Sequence, residues 1–321
     1  MRPHRWLAAP LTVLLLGTAA APARAAAAPA APHPHGAVRV LPSLWRDMVA
    51  YYDFEHPARG DRATERDSGR SGTPIGLVNG GAAMRVRDAA HPGARTSIQT
   101  RQVDPAAQGD DDWKAGVWGD PGVPSLHAFN AVRGVTIMGW FKTTGTNPSP
   151  NTETADPSDV YNAVGLAGIL TGNSDGHNVR ALLEVITVGD QLRVVALGRR
   201  IDTGASQTFA ADQPWQSVLP PSTWVHLAAT FDYDTGVMRL YKNGRPLDGF
   251  YTTPGDPWHL TDTPSPHVTT ATDPRGLKIG GSFPQNTVER NPCNCRMDDL
   301  MFLNRILTPG EVQGQYRVAT H

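Results

Sequence analysis

The chain has 321 residues, with 29 Lys and Arg against 30 Asp and Glu for a formal net charge of -1, so no global field exists to draw in nucleic acid or an anionic membrane surface. Gly (32) and Pro (28) make up roughly a fifth of it, above the ~12% average but below the ~25–30% that marks low-complexity disorder. With 40% hydrophobic residues, it can bury a sizeable core, as two small domains or one large β architecture.

Arg2 and Arg5 precede an uncharged, mostly apolar run from Trp6 to Ala20, and Ala23-Arg24-Ala25 offers small residues where signal peptidase reads them. The run is short for a spanning helix, which needs ~20 residues, so residues 1–25 read as a secretory signal cleaved after Ala25. Residues 26–37, repeating Ala and Pro, bury too little apolar surface to fold and read as a disordered lead-in to one domain over 38–321. No Cys follows to accept a lipid, and no second apolar stretch can span a bilayer. The mature chain is therefore expected to be secreted, with neither a membrane nor a nucleic acid as partner.

Beyond Gly36, short apolar stretches bounded by Gly, Pro, Asn or Asp signal strands. They are Met48–Phe54, Val135–Lys142, Gly165–Leu170, Ala181–Thr187, Leu192–Gly198, Trp224–Phe231, Val237–Tyr241, Gly276–Ile279 and Met297–Leu303. With no amphipathic helices between them, they predict an all-β sandwich of two antiparallel sheets. Gly189-Asp190 and Asn243-Gly244 suit the tight turns of two hairpins. Ala181–Val188 also fits a helical spacing, but its β-branched residues and closing Gly-Asp favour strand. Two long polar insertions, Asp104–Asn130 and Thr144–Tyr161, interrupt the strands, and no internal repeat is present.

Thr223-Trp224-Val225-His226-Leu227-Ala228-Ala229-Thr230-Phe231-Asp232, followed by Gly236 and Leu240-Tyr241-Lys242-Asn243-Gly244, resembles the bacterial laminin-G-like jelly-roll domains of the concanavalin A-like lectin/glucanase superfamily. Leu277-Lys278-Ile279-Gly280, then Met297 to Thr308 with Glu311-Val312, is similar to that family's closing strand and short terminal helix. Val49 to Glu55 with Asp67-Ser68-Gly69 resembles its opening strand and turn, and Val135 to Lys142 its central strand. The resemblance implies a jelly-roll sandwich enlarged by long loop insertions. It also implies that the first and last strands lie together.

Gly172-Asn173-Ser174-Asp175-Gly176 matches the Gly-x-Ser-x-Gly elbow of serine hydrolases, but that elbow needs a strand-to-helix turn, so a polar hairpin loop is the reading preferred. Retaining glycosidases need two carboxylates ~5–5.5 Å apart, and no Glu-x-Asp-x-x-Glu run occurs; Glu184 stands alone on its strand. A hydrolase or lyase assembled from separate strands stays open. Strict alternation places Asp298 on a face with Leu300 and Phe302 and turns Asp299 the other way. Asp298 then needs a partner, either a hydrogen-bonding or Arg neighbour, or a structural Ca²⁺ shared with Asp53, Glu55 and Asp67. Asp232 to Gly236 resembles part of a calcium loop but lacks its closing Glu and reads as a turn, while Asp110-Asp111-Asp112 reads as a solvated run.

Cys293 and Cys295 are the two cysteines, one residue apart. An oxidising compartment permits a local bridge or leaves two thiols. Trp113, Trp118, Trp215 and Trp258 fall in loops or insertions, where a ring either plugs the core beneath a loop or stacks on a sugar. Trp140 and Trp224 read as core, and His226 as a satisfied sheet residue. The function expected is a secreted, non-catalytic binding module for glycan. Its alternatives are a glycan-active enzyme or an adhesion domain with a protein partner.

Overall fold

The computed structural model describes residues 39–103, 111–130, 132–145, 164–171, 179–199, 205–253, 274–281 and 293–320. The secretory signal, the lead-in, Asp110, Gly172 to Gly176, Trp258 and most of the second insertion lie outside them. In chain order the strands begin with β1 (Met48–Tyr52), β2 (Thr64–Glu65), β3 (Ile75–Val78), β4 (Arg85–Val86), β5 (Ser97–Thr100), β6 (Lys114–Trp118), β7 (Gly134–Thr143), β8 (Val164–Leu170) and β9 (Val179–Val188). They continue with β10 (Gln191–Arg199), β11 (Ser206–Ala211), β12 (Val225–Asp232), β13 (Met238–Lys242), β14 (Arg245–Pro246), β15 (Gly249–Tyr251), β16 (Gly276–Ile279) and β17 (Cys295–Leu303). Among the described residues, the α-helices α1 (Trp215–Val218) and α2 (Pro309–Thr320) accompany them, with three short 3-10 turns.

Eight strands form one sheet in the order β14-β13-β12-β7-β17-β5-β4, with β1 also paired to β17. Nine form the other, β15-β11-β10-β9-β8-β16-β6-β3-β2. Period-2 alternation decides what lies between them. Ile137 and Phe141 of β7 and Leu227 and Phe231 of β12 meet Leu183, Val194 and Ile279 of the opposite sheet in one continuous core. The opposite face of the eight-stranded sheet buries Met138, Ala228, Tyr241 and Met301 against Leu44 and, from α2, Val312. The described residues all belong to one compact unit, His33–His321.

The turn chemistry acts as the sequence implies. Val188 pairs with Gln191 across Gly189-Asp190, and Asn243 and Gly244 both take positive φ (50° and 76°) to join β13 to β14. A capping box opens α2: the Glu311 amide donates to Thr308 Oγ1 (3.3 Å) while the Thr308 amide donates to Glu311 Oε2 (2.9 Å). Arg305 adds two hydrogen bonds to the same carboxylate and is the main reason its pKa falls to about 2.

Several expectations change. Residues 114–118, assigned to the first insertion, are β6, an interior strand between β16 and β3; Lys114 and Gly116 on its outward side hid the alternation of Ala115 with Val117. Asp112 is not solvated but buried, accepting the Val103 amide at 3.0 Å. Trp224 stands just before β12 and is half-buried, its indole donating to Asp88 Oδ1 at 3.2 Å. Cys293 and Cys295 are bridged, with Cα atoms 5.2 Å apart. So short a loop bounds the chain-entropy gain at about 1.6 kcal/mol.

His226 is satisfied only through its backbone, which exchanges hydrogen bonds with Asn243. Its ring lies 5.4 Å from Trp140 and 6.0 Å from Tyr316, and Nδ1 has no hydrogen-bond partner among the described residues. Burial lowers its pKa from 6.5 to about 4. The folded state thus binds this proton less readily than the unfolded chain, and stability present above pH 6.5 is lost as pH falls toward 4. In urea titrations, His226→Phe should gain stability relative to wild type across that interval. A constant difference between the two proteins from pH 7 to pH 4 would refute this.

Candidate functional site

β17 lies in the middle of the eight-stranded sheet, and its two halves have different neighbours: Cys295 to Met297 pair with β5, Leu300 to Leu303 with β1. Between them the register against β7 shifts at a bulge, and Asp299 takes φ 49°, a conformation uncommon outside glycine and costly unless its surroundings hold it. They do so with two short contacts: the Tyr51 hydroxyl donates to Asp299 Oδ1, and His91 Nε2 meets Oδ2, both at 2.6 Å. Facing the bulge, β7 has Gly139, where a Cβ would fall 2.5 Å from Leu300 Cδ2.

The extra residue re-phases the strand. Met297, Leu300 and Phe302 all enter the inter-sheet core, so Asp298 does not share their side as strict alternation implies. The two carboxylates also do not diverge. Asp298 Oδ2 accepts the Ala90 amide at 2.9 Å, next to the His91 that holds Asp299. Burial, then the charge of Asp299, pushes the Asp298 carboxyl well above the usual range. Burial pulls His91 down, but its hydrogen bond and charge contact with Asp299 outweigh it, leaving the net shift upward.

The other acids expected to join Asp298 have their own duties. Asp67 accepts from the Tyr51 amide (2.8 Å), the Gly69 amide (2.6 Å), Ser71 Oγ (2.5 Å) and the Thr73 amide (3.1 Å), pinning the turn after β2 to β1. Glu55 Oε1 accepts the Arg95 and Thr96 amides. Asp53 instead gathers with His56 and Glu65, each offering a ligand atom within 4.8 Å of the others. This group can coordinate a divalent ion. Neither His56 nor Glu65 was singled out by the sequence, because His56 sits in a loop and Glu65 on a strand, β2, only two residues long. The three side chains also have protein partners: His56 Nδ1 is 2.9 Å from Asp53 Oδ1, and Arg85 is 2.6 Å from Glu65 Oε2. The Asp53 hydrogen bond raises the His56 pKa; burial raises that of Glu65 to about 8 against the pull of Arg85.

Glu184 occupies the outward side of β9, opposite Gly165 of β8. Neither Gly165 nor Gly168 has a side chain to fill the space toward β16, and Lys278 Nζ lies 4.0 Å from Glu184 Oε2. Burial raises the Glu184 pKa while Lys278 and Arg199 oppose it. Its charged neighbours are thus cations, not a second carboxylate.

Of the tryptophans, Trp215 is 5% exposed and packs in the core, which fits the plug reading. Trp113 is half-buried, with the Arg101 guanidinium 3.8 Å from its ring centre. Trp118 ends β6 directly across from Gly276. Its indole donates to Asp120 at 3.0 Å, and Arg275 lies 5.9 Å from its ring.

A model of the laminin G type, described as the concanavalin A-like lectin/glucanases superfamily, matches residues 122–313. No curated protein matches the chain. Among solved structures, the binding domain of botulinum neurotoxin DC in complex with rat synaptotagmin II is similar with a TM-score of 0.51 and 10% identity, over 86% of this chain and 52% of that one. A Trypanosoma rangeli sialidase in complex with a difluoro sugar acid gives 0.49 and 14%, over 84% and 32%. The binding domain of Paraclostridial Mosquitocidal Protein 1 gives 0.49 and 13%, over 85% and 52%. This chain therefore spans a third to a half of those chains, and at these identities the likeness is one of fold.

Metal binding at Asp53, His56 and Glu65 has a direct check. Imidazole coordination displaces a proton, so occupancy should raise the melting temperature more at pH 7.5 than at pH 5.5. A chelator should reverse the rise, and Asp53→Asn should abolish it. Identical melting curves with chelator, Ca²⁺, Mn²⁺ and Zn²⁺ would remove the metal from this site.

Proposed function

The chain belongs to the concanavalin A-like lectin/glucanases superfamily, and from that premise we propose that it is a secreted, non-catalytic binding module for extracellular or cell-wall carbohydrate. The observation that carries the reading is Trp118. Its half-buried indole stands on the outward side of the nine-stranded sheet across from side-chain-free Gly276. Asp120 and Arg275, 3.8 Å apart, supply an acceptor and a donor beside it. An aromatic face with a polar fork at its rim suits a sugar ring, whose C–H face stacks and whose hydroxyls hydrogen-bond. Glu184 has Lys278 and Arg199 as its charged neighbours and so does not itself form the carboxylate pair that glycoside hydrolysis of the usual kind requires.

Secretion rests on the amino-terminal apolar run and its small-residue cleavage signal. At the Asp53 group, Ca²⁺ is the ion that the carboxylates suggest, since it takes 6–8 oxygens; the His56 nitrogen fits a borderline ion such as Zn²⁺ better. A second reading, a protein partner, is favoured by the edge strand β15 of the nine-stranded sheet, where Phe250 (40%) and Tyr251 (41%) are exposed large apolar residues.

A glycan array and titration calorimetry test the proposal. Trp118→Ala should weaken binding of a neutral glycan by about 1–2 kcal/mol, about five- to thirtyfold, if one stacked ring is lost. No signal on any glycan from wild type would overturn the carbohydrate reading. Hydrolysis of a bound glycan would overturn its non-catalytic part.

A further inference from the structure

The end of β1 and the edge strands β2 and β4, one from each sheet, adjoin a cavity of about 640 Å³. Phe54 and Glu55 line it together with four arginines, Arg62, Arg85, Arg87 and Arg95. These guanidinium groups come from three separate stretches of a chain whose net charge is -1.

The four are not equivalent. Arg85 is fixed: its side chain is 3% exposed and ion-paired with Glu65 at 2.6 Å, and it donates to the carbonyls of Phe54 (2.6 Å), Thr64 (2.5 Å) and Arg62 (3.1 Å). Arg95 is 87% exposed and stands 3.7 Å from Glu55, whose other oxygen is taken by the Arg95 and Thr96 amides. Glu65 thus balances Arg85, and Glu55 faces Arg95. Arg62 and Arg87 are exposed and have no acid opposite them among the described residues. A second sign of a built site is Phe54, a bulky residue fully buried at φ 56°. Its carbonyl is turned to Arg85 Nη1 and Thr96 Oγ1 (2.8 Å), and such strain concentrates where the surroundings serve a ligand.

We propose that this cleft is a second binding site, in which Arg62 and Arg87 take the carboxylate or sulfate group of an acidic saccharide while Arg85 forms a rigid floor. The planar guanidinium matches both oxyanions through paired N–H donors. The saccharide part rests on the carbohydrate-binding reading above; the anion part rests on the cleft alone.

Calorimetry on the full chain separates the two, with tetragalacturonate, its neutral methyl ester, a sulfated heparin tetrasaccharide and inorganic sulfate as probes. At least one acidic oligosaccharide should bind the wild type roughly tenfold more tightly than the Arg62→Ala/Arg87→Ala variant, a gap of about 1.4 kcal/mol that narrows as salt is raised. Both substitutions are on the surface, so melting temperatures should agree. The methyl ester should not distinguish the two proteins. Equal affinity of variant and wild type for the acidic probes, or no binding of either, overturns the inference and leaves the Trp118 site standing if neutral glycans still bind. Arginine-dependent binding of inorganic sulfate with no saccharide bound overturns the saccharide assignment of the cleft, whereas the carbohydrate reading falls only if the glycan array is also blank.

Discussion

Asp299 occupies a backbone conformation that its neighbours must enforce, and the packing on both faces of the eight-stranded sheet depends on that enforcement. One extra residue at this point of β17 lets Met297 and Leu300 both face the inter-sheet core, although three positions apart, and sends Met301 and Leu303 to the opposite side under α2. Without the bulge, the two halves of the strand would disagree about which face is apolar. The hydroxyl of Tyr51 and the imidazole of His91 lock the bulge, and Gly139 on β7 leaves the space it occupies. Four chain segments far apart in sequence therefore converge on one turn of backbone.

The same region explains why charge is buried here at all. An isolated carboxylate in the interior is costly, and each acid near β1 avoids that cost in a different way. Asp67 is saturated by backbone amides and a hydroxyl. Asp53 and Glu65 face His56 and Arg85. Asp298 is shifted toward its neutral form by burial and by Asp299. Where β2 and β4 end their sheets, the balance reverses and arginines outnumber acids, so acidic interior and basic cleft lie side by side at one end of the first strand.

The nine-stranded sheet divides its labour differently. Its inward side is ordinary packing, whereas its outward side combines buried charge at Glu184 and Lys278 with a half-covered ring at Trp118. Gly168 and Gly276 let neighbours pack closely: a Cβ there would fall 2.2 Å from Leu182 Cδ2 and 1.8 Å from the Val117 carbonyl oxygen.

The sequence by itself determined the fold class, the two hairpin turns and the strands with strong β-branched alternation, because these depend on local periodicity and on backbone angles that Asn and Gly adopt readily. It also carried the family, through Thr223 to Gly244 and Met297 to Thr308. It missed β2 to β6, β11, β14 and β15, whose two to six residues hold too little pattern to stand out, and it placed Asp298 by an alternation that the bulge interrupts. The tertiary structure alone decided which acids meet. Asp53 and His56 are only three residues apart, but in a loop without periodicity; His91 and Tyr51 join Asp299 across 208 and 248 positions, and four arginines from three stretches share one cleft, because no local pattern encodes such distances.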